Sequence, residues 1–127
     1  MYVGVLRLGL EVVGARSLKD RRSVVRSFKE RAQAKFRVSV AEVGDLDNVR
    51  HALLGVAVVS NSATQCDQVL QSVASMASTL PDAILYDRAT EIFPFGDGGR
   101  GVQGGIEQAL DRSGSFEGEE EEEEDLG

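Results

Sequence analysis

A single cysteine, Cys66, excludes an intrachain disulfide and any zinc site built from cysteines, and this usage fits a reducing compartment. Long apolar runs are missing as well. The opening stretch MYVGVLRLGLEVVG has no basic leader and is broken by Arg7 and Glu11, so neither a signal peptide nor a membrane span is expected and a cytosolic location is. Histidine occurs once, as His51, and no nucleophile, base and orienting group can be assembled around it. Aromatic residues make up 6% of the chain and tryptophan is absent.

What is present is an uneven distribution of charge. The net charge of −7 sums two unlike regions. Residues 1–37 carry ten bases against Glu11, Asp20 and Glu30, whereas residues 96–127 carry eleven acids against Arg100 and Arg112. Residues 1–95 alone hold twelve bases and ten acids, a balance of +2. The last 32 residues contain nine of the fourteen glycines, six of them in GDGGRGVQGG, and end in EGEEEEEEDLG. Such a segment cannot bury enough apolar surface to offset its chain entropy and is expected to be disordered. The division is therefore a domain over 1–95 and a Gly-rich, then Glu-rich tail over 96–127, the former long enough for one independent core.

Tyr2 to Val13 reads as a strand, rich in Val and Leu and closed by Gly14. Ser17 can cap a helix, with Asp20 where a capping box places an acid. Leu18, Val24, Val25, Phe28 and Ala32 then fall within an arc of about 120° at roughly 100° per residue. FRVSVAEV has strand character, the cluster Gly44, Asp45, Asp47 and Asn48 predicts a hairpin turn, and residues 52–60, ALLGVAVVS, read as a strand inside a sheet. Asn61 or Ser62 can cap a second helix bearing Cys66, Val69, Leu70, Val73, Ala74, Ala77 and Leu80, which Pro81 ends. Residues 83–95 give a last strand, bent near Arg88. The order βαββαβ predicts an α+β, ferredoxin-like fold: a four-stranded antiparallel sheet with two helices on one face.

That fold hosts many activities, so function has to be read from residues. On the first helix Lys19, Arg22, Arg26 and Lys29 fall within about 80° of one another, in a stripe bordering the apolar arc. Arg16 and Arg37 flank the helix and can extend the patch. Arg21 lies in the middle of the apolar arc. Either the first turn overhangs the sheet, or the stem of Arg21 is covered while its guanidinium reaches solvent. A stripe of this kind is the footprint of a protein that meets phosphates, set against the ordinary alternative of a solvated helix face. Base stacking on the central strands, the common RNA-binding use of this fold, is not indicated: the first strand has only Tyr2 and GVAVVS has no aromatic. Contact with RNA would then run from helix and loops to the backbone.

Other motifs are weak. Cys66 sits on the apolar stripe of its helix and reads as a core side chain. Asp45, Asp47 and Asn48 lack the Gly and distant Glu of a calcium loop, and GDGGRGVQGG lacks the Lys and Ser/Thr of a phosphate loop. No catalytic residue, metal site, cofactor or small-molecule substrate is expected.

The pieces GARSLKDRR, FRVSVAEV and GVAVVSN, in that order and spacing, resemble the YlxP-like family of small bacterial proteins, a domain of unknown function, over residues 1 to about 95. The resemblance implies a ferredoxin-like domain and brings no catalytic residues. Family members are commonly encoded near transcription-elongation, translation-initiation or ribosome-maturation factors, which implies an RNA or ribosome connection. The family's basic positions after GARSLK correspond to Lys19, Arg21, Arg22 and Arg26, while the acidic tail is foreign to its pattern. The expectation is a non-enzymatic cytosolic RNA- or ribosome-associated module using Arg16, Lys19, Arg21, Arg22, Arg26, Lys29 and Arg37. The alternative is a protein-interaction or homodimerising module using the open sheet face, with Val3 and Val5 on one side of the first strand and Leu6, Leu8 and Leu10 on the other. A small-ligand sensor ranks third. The tail reads as a solubilising extension, or as a segment over Glu119–Asp125 that competes with phosphates for the stripe.

Overall fold

Period-two burial in the first segment and period-3.6 burial in the next set the architecture. The structure is a computed structural model that describes residues 1–96; both readings of the tail lie outside the described residues. Strand β1 (Tyr2–Val12) is followed by helix α1 (Leu18–Phe36), strands β2 (Ser39–Val43) and β3 (His51–Ser60), helix α2 (Ala63–Ser78) and strand β4 (Ala83–Pro94). The sheet order is β2-β3-β1-β4 with every neighbouring pair antiparallel. This is the ferredoxin-like arrangement that the order of elements predicts. No described helix is long and apolar enough to cross a membrane.

Leu6, Leu8 and Leu10 alternate onto the buried face of β1 and meet Val25, Phe28 and Ala32 from α1 and Cys66, Leu70, Val73 and Ala77 from α2. The helices divide the sheet: α1 packs on β2, while α2 packs on β1, β3 and β4. Caps agree with the sequence. Ser17 Oγ accepts from the Asp20 amide at 3.2 Å, Asp20 Oδ2 accepts from the Arg16 amide at 3.1 Å, and of the two candidate caps for α2 it is Ser62 whose Oγ accepts from the Gln65 amide. The polar cluster after β2 is a pair of Asx turns. Asp45 Oδ1 accepts from the Asp47 amide, and Asn48 Oδ1 accepts from the amides of Arg50 and His51.

Two details differ from expectation. β1 ends at Val12 rather than Val13, and the irregularity in β4 falls at Tyr86, which has no partner opposite because Gly9 pairs with Asp87 and Leu10 with Leu85. The bulge turns the Tyr86 ring across Gly9, where a Cβ would stand 2.9 Å from Tyr86 Cζ. Beside it Arg7 Nε donates to Asp87 Oδ2 at 2.8 Å on the solvent face. The Arg7 hydrogen bond, opposed by desolvation and helped by charge attraction, holds the Asp87 carboxyl below its ordinary range. The pair's contribution is therefore present above the ordinary carboxylate range and lost as pH falls through the lowered Asp87 value.

Gly4 lies under α2, where a Cβ would stand 2.9 Å from Leu70 Cδ1, 3.2 Å from Cys66 Cβ and 3.2 Å from Val58 Cγ1. Gly4→Ala is expected to lower stability by about 1–3 kcal/mol through overpacking. The urea midpoint should fall with the m-value unchanged.

Candidate nucleic-acid interface

The first helix carries cations on both flanks of its buried arc, and the sheet decides what each flank faces. On one side Arg22, Arg26 and Lys29, with Val25 and Glu42, line a shallow hollow of about 330 Å³ between α1 and edge strand β2. Arg22 and Arg26 are exposed and Lys29 half-buried. Glu42 follows Val40 on the helix-facing side of β2, which puts a carboxylate into this otherwise cationic hollow.

Arg21 answers that carboxylate from below, and its place corrects both sequence readings of it. The first turn does not overhang, and the guanidinium does not reach solvent: Arg21 is 0% exposed. Its Nη2 donates to Glu42 Oε2 and, at 3.2 Å, to the Leu46 carbonyl, while Nε donates to the His51 carbonyl at 3.3 Å. Nη1 is buried without a hydrogen-bond partner. Arg21 therefore leaves the set of phosphate-facing residues. It neutralises Glu42 and fastens α1 to β2, to the loop after it and to the start of β3.

The other expected residues separate by position. Lys19 is exposed one turn before Arg22 on the same stripe. Arg16 and Arg37 are exposed at opposite ends of the 19-residue helix, about 30 Å apart at 1.5 Å per residue, so neither joins the hollow. Arg37 closes α1 in the left-handed conformation, φ 56°. Among the described residues the other acid within ion-pair reach of the stripe is Asp47, 4.0 Å from Arg22 with both side chains largely exposed, a geometry worth little.

Arg31 and Lys35 fall outside the stripe that the spacing of α1 marks. They lie on the opposite flank of α1 and, with Gln68, Gln71, Ser72 and Ser75 of α2, line a groove of about 840 Å³. The readable signal was the outer face of α2, whose exposed positions are hydroxyls and amides with no base, its one acid, Asp67, accepting from Gln71 at 2.7 Å. Arg, Lys, Gln and Ser are the side chains that usually contact phosphate and sugar. Cys66 is buried, and its thiol approaches the Tyr2 carbonyl at 3.8 Å. His51 is exposed and packs edge-on against Tyr86, ring centres 5.5 Å apart. Among the described residues no three His, Cys, Asp or Glu side chains gather as a metal site would require.

A family model, "Protein of unknown function (DUF503)", matches residues 3–90. The chain belongs to the DUF503 family. It is similar to "Uncharacterized protein YlxP" of Bacillus subtilis (strain 168), with 35% identity over 82 residues, covering 65% of this chain and 89% of that protein. The matched span contains the whole of α1 with its basic stripe and ends before the acidic tail.

Removing one partner of a buried ion pair strands the other charge. Glu42→Ala is expected to destabilise the domain by about 3–5 kcal/mol, whereas Arg21→Met combined with Glu42→Leu recovers most of that loss. Chemical denaturation of the single and double variants reads the difference.

Proposed function

We propose that this protein is a non-enzymatic cytosolic module that associates with RNA, free or within the ribosome, by meeting its phosphate backbone along α1. Lys19, Arg22, Arg26 and Lys29 make the contacts, and Arg31 and Lys35 continue them across the helical layer. The observation that carries this reading is the state of Glu42. Among the described residues it is the one acid lining the hollow of Arg22, Arg26 and Lys29, and its carboxylate is taken up by Arg21 from the buried side. Among the described residues, these three cations consequently face solvent at one place with Asp47, 4.0 Å from Arg22, as the other acid within ion-pair reach, whereas a solvated helix face normally interleaves both signs.

The geometry also limits how RNA is met. Helix side chains reach phosphates and sugars, and the aromatics on the open sheet face, Tyr86 and Phe93, sit on edge strand β4 rather than on the central strands. Recognition is therefore of backbone and shape, with little base reading.

The four contacts of Lys19, Arg22, Arg26 and Lys29 contribute roughly −2.8 to the slope of log K against log salt on single-stranded RNA, about −0.7 each, and Arg31 and Lys35 bring it to roughly −4.2. Arg22→Ala with Arg26→Ala should make the slope shallower by roughly 1.4 while leaving the melting temperature unchanged. Fluorescence anisotropy with a labelled single strand across a salt series measures both. Salt-independent binding, or a slope that the double variant leaves unaltered, would refute the reading.

A further inference from the structure

The face of the sheet opposite the helices carries the larger unexplained surface. Side chains from all four strands alternate onto it, and large apolar ones stand in solvent: Val59 is 60% exposed, Tyr86 56% and Phe93 37%. At the centre the residues are small. Ser39, Ala41, Gly55, Ala57 and Ala89, with Val5, line a hollow of about 510 Å³. The β1–β3 and β1–β4 registers set Val59 and Phe93 beside Val3 at one end of this hollow, while Tyr86 lies across Gly9 toward the other. One surface thus presents both a depression and the bulky side chains that could fill one.

We propose that this sheet face is the interface of a homodimer, with a second copy of the chain as its occupant. An isologous interface requires complementary features on a single patch, so that each copy gives and receives the same contacts. The depression and its apolar rim meet that requirement, and so do the charges. Arg7 and Glu91 are diagonal neighbours on β1 and β4, because Arg7 pairs with Ala89 and Val5 with Glu91; such positions are about 7–8 Å apart. A twofold axis passing midway between them lays Arg7 of each copy against Glu91 of its partner. Arg7 already bonds Asp87 within its own chain, so each guanidinium would bridge that carboxylate and the partner's Glu91, leaving a balance of −1 per copy at the centre. A strongly acidic or basic partner would meet a nearly neutral surface here. Four strands about 4.8 Å apart, most about ten residues long at roughly 3.3 Å each, span on the order of 500–600 Å² in projection. Side-chain relief carries the accessible area toward the roughly 800 Å² per partner of a standard interface.

Light scattering on the full chain through a micromolar dilution series tests this. The expected mass is twice the chain's 13.7 kDa. Val59→Lys and Ala57→Arg sit outside the core and should each raise the dimer dissociation constant at least about tenfold with the melting temperature of the protomer retained. Glu91→Arg, facing the partner's Arg7, should weaken the dimer most at low salt. A monomeric mass at every concentration overturns the proposal, and so does a dimer that Val59→Lys and Ala57→Arg leave intact, since its interface would lie elsewhere.

Discussion

A guanidinium with no exposed surface, Arg21, holds the helical layer to the sheet. It reaches three segments at once: the Glu42 carboxylate on β2, the Leu46 carbonyl in the following loop and the His51 carbonyl at the start of β3. An apolar side chain at this place would pack and could be the more stable choice, because desolvating two charges offsets most of their attraction. It could not select a position along β2, whereas a planar donor with three fixed acceptors allows only one. Its effect lies in orientation: with α1 fixed in rotation, Arg22, Arg26 and Lys29 face the edge of β2.

That edge is itself guarded. A bare edge strand invites pairing with another chain, and here Gln33 of α1 accepts from the Val40 amide at 3.0 Å, using its carboxamide where a neighbouring strand would otherwise bond. The side of α1 that displays the cations therefore also covers β2. Association through this edge is opposed, and the exposed apolar surface is left to the face of the sheet. Surface chemistry is divided accordingly, with cations, amides and hydroxyls on the helical layer and Val, Ala and Gly across the open sheet.

Much of this was legible in the sequence. Apolar periodicity gave both helices and all four strands, and Ser17 with Asp20 marked the first cap, because these features are local and need only a few neighbouring residues. Arg21 shows where local reading stops. Its position inside the apolar arc was visible, but the arc does not say what sits across from it. A second anomaly was available in Glu42, which follows Val38 and Val40 in the inward alternation of FRVSVAEV. Two charges of opposite sign, each on a core-facing position of adjacent elements, mark a buried pair, and neither alone distinguishes burial from overhang. Arg31 and Lys35 escaped for a similar reason: their significance comes from uncharged residues of α2 more than thirty positions away, which only packing brings beside them. The Tyr86 bulge likewise depends on register against Gly9, and strand propensity carries no register.

The two surfaces belong to opposite layers of one domain, so using one leaves the other free. If the sheet faces of two copies meet, both helical layers point outward and each pair presents two cationic flanks. A single RNA long enough to touch both would bind the second flank at an effective concentration set by the spacing between them, and its affinity would exceed that of one flank with no new contact formed. Contacts would then be counted per pair, and the salt slope would steepen with protein concentration as dimers form. A single protomer acting alone has a slope independent of its concentration. The dependence of slope on concentration thus joins the apolar face to the basic one, two surfaces with no residue in common.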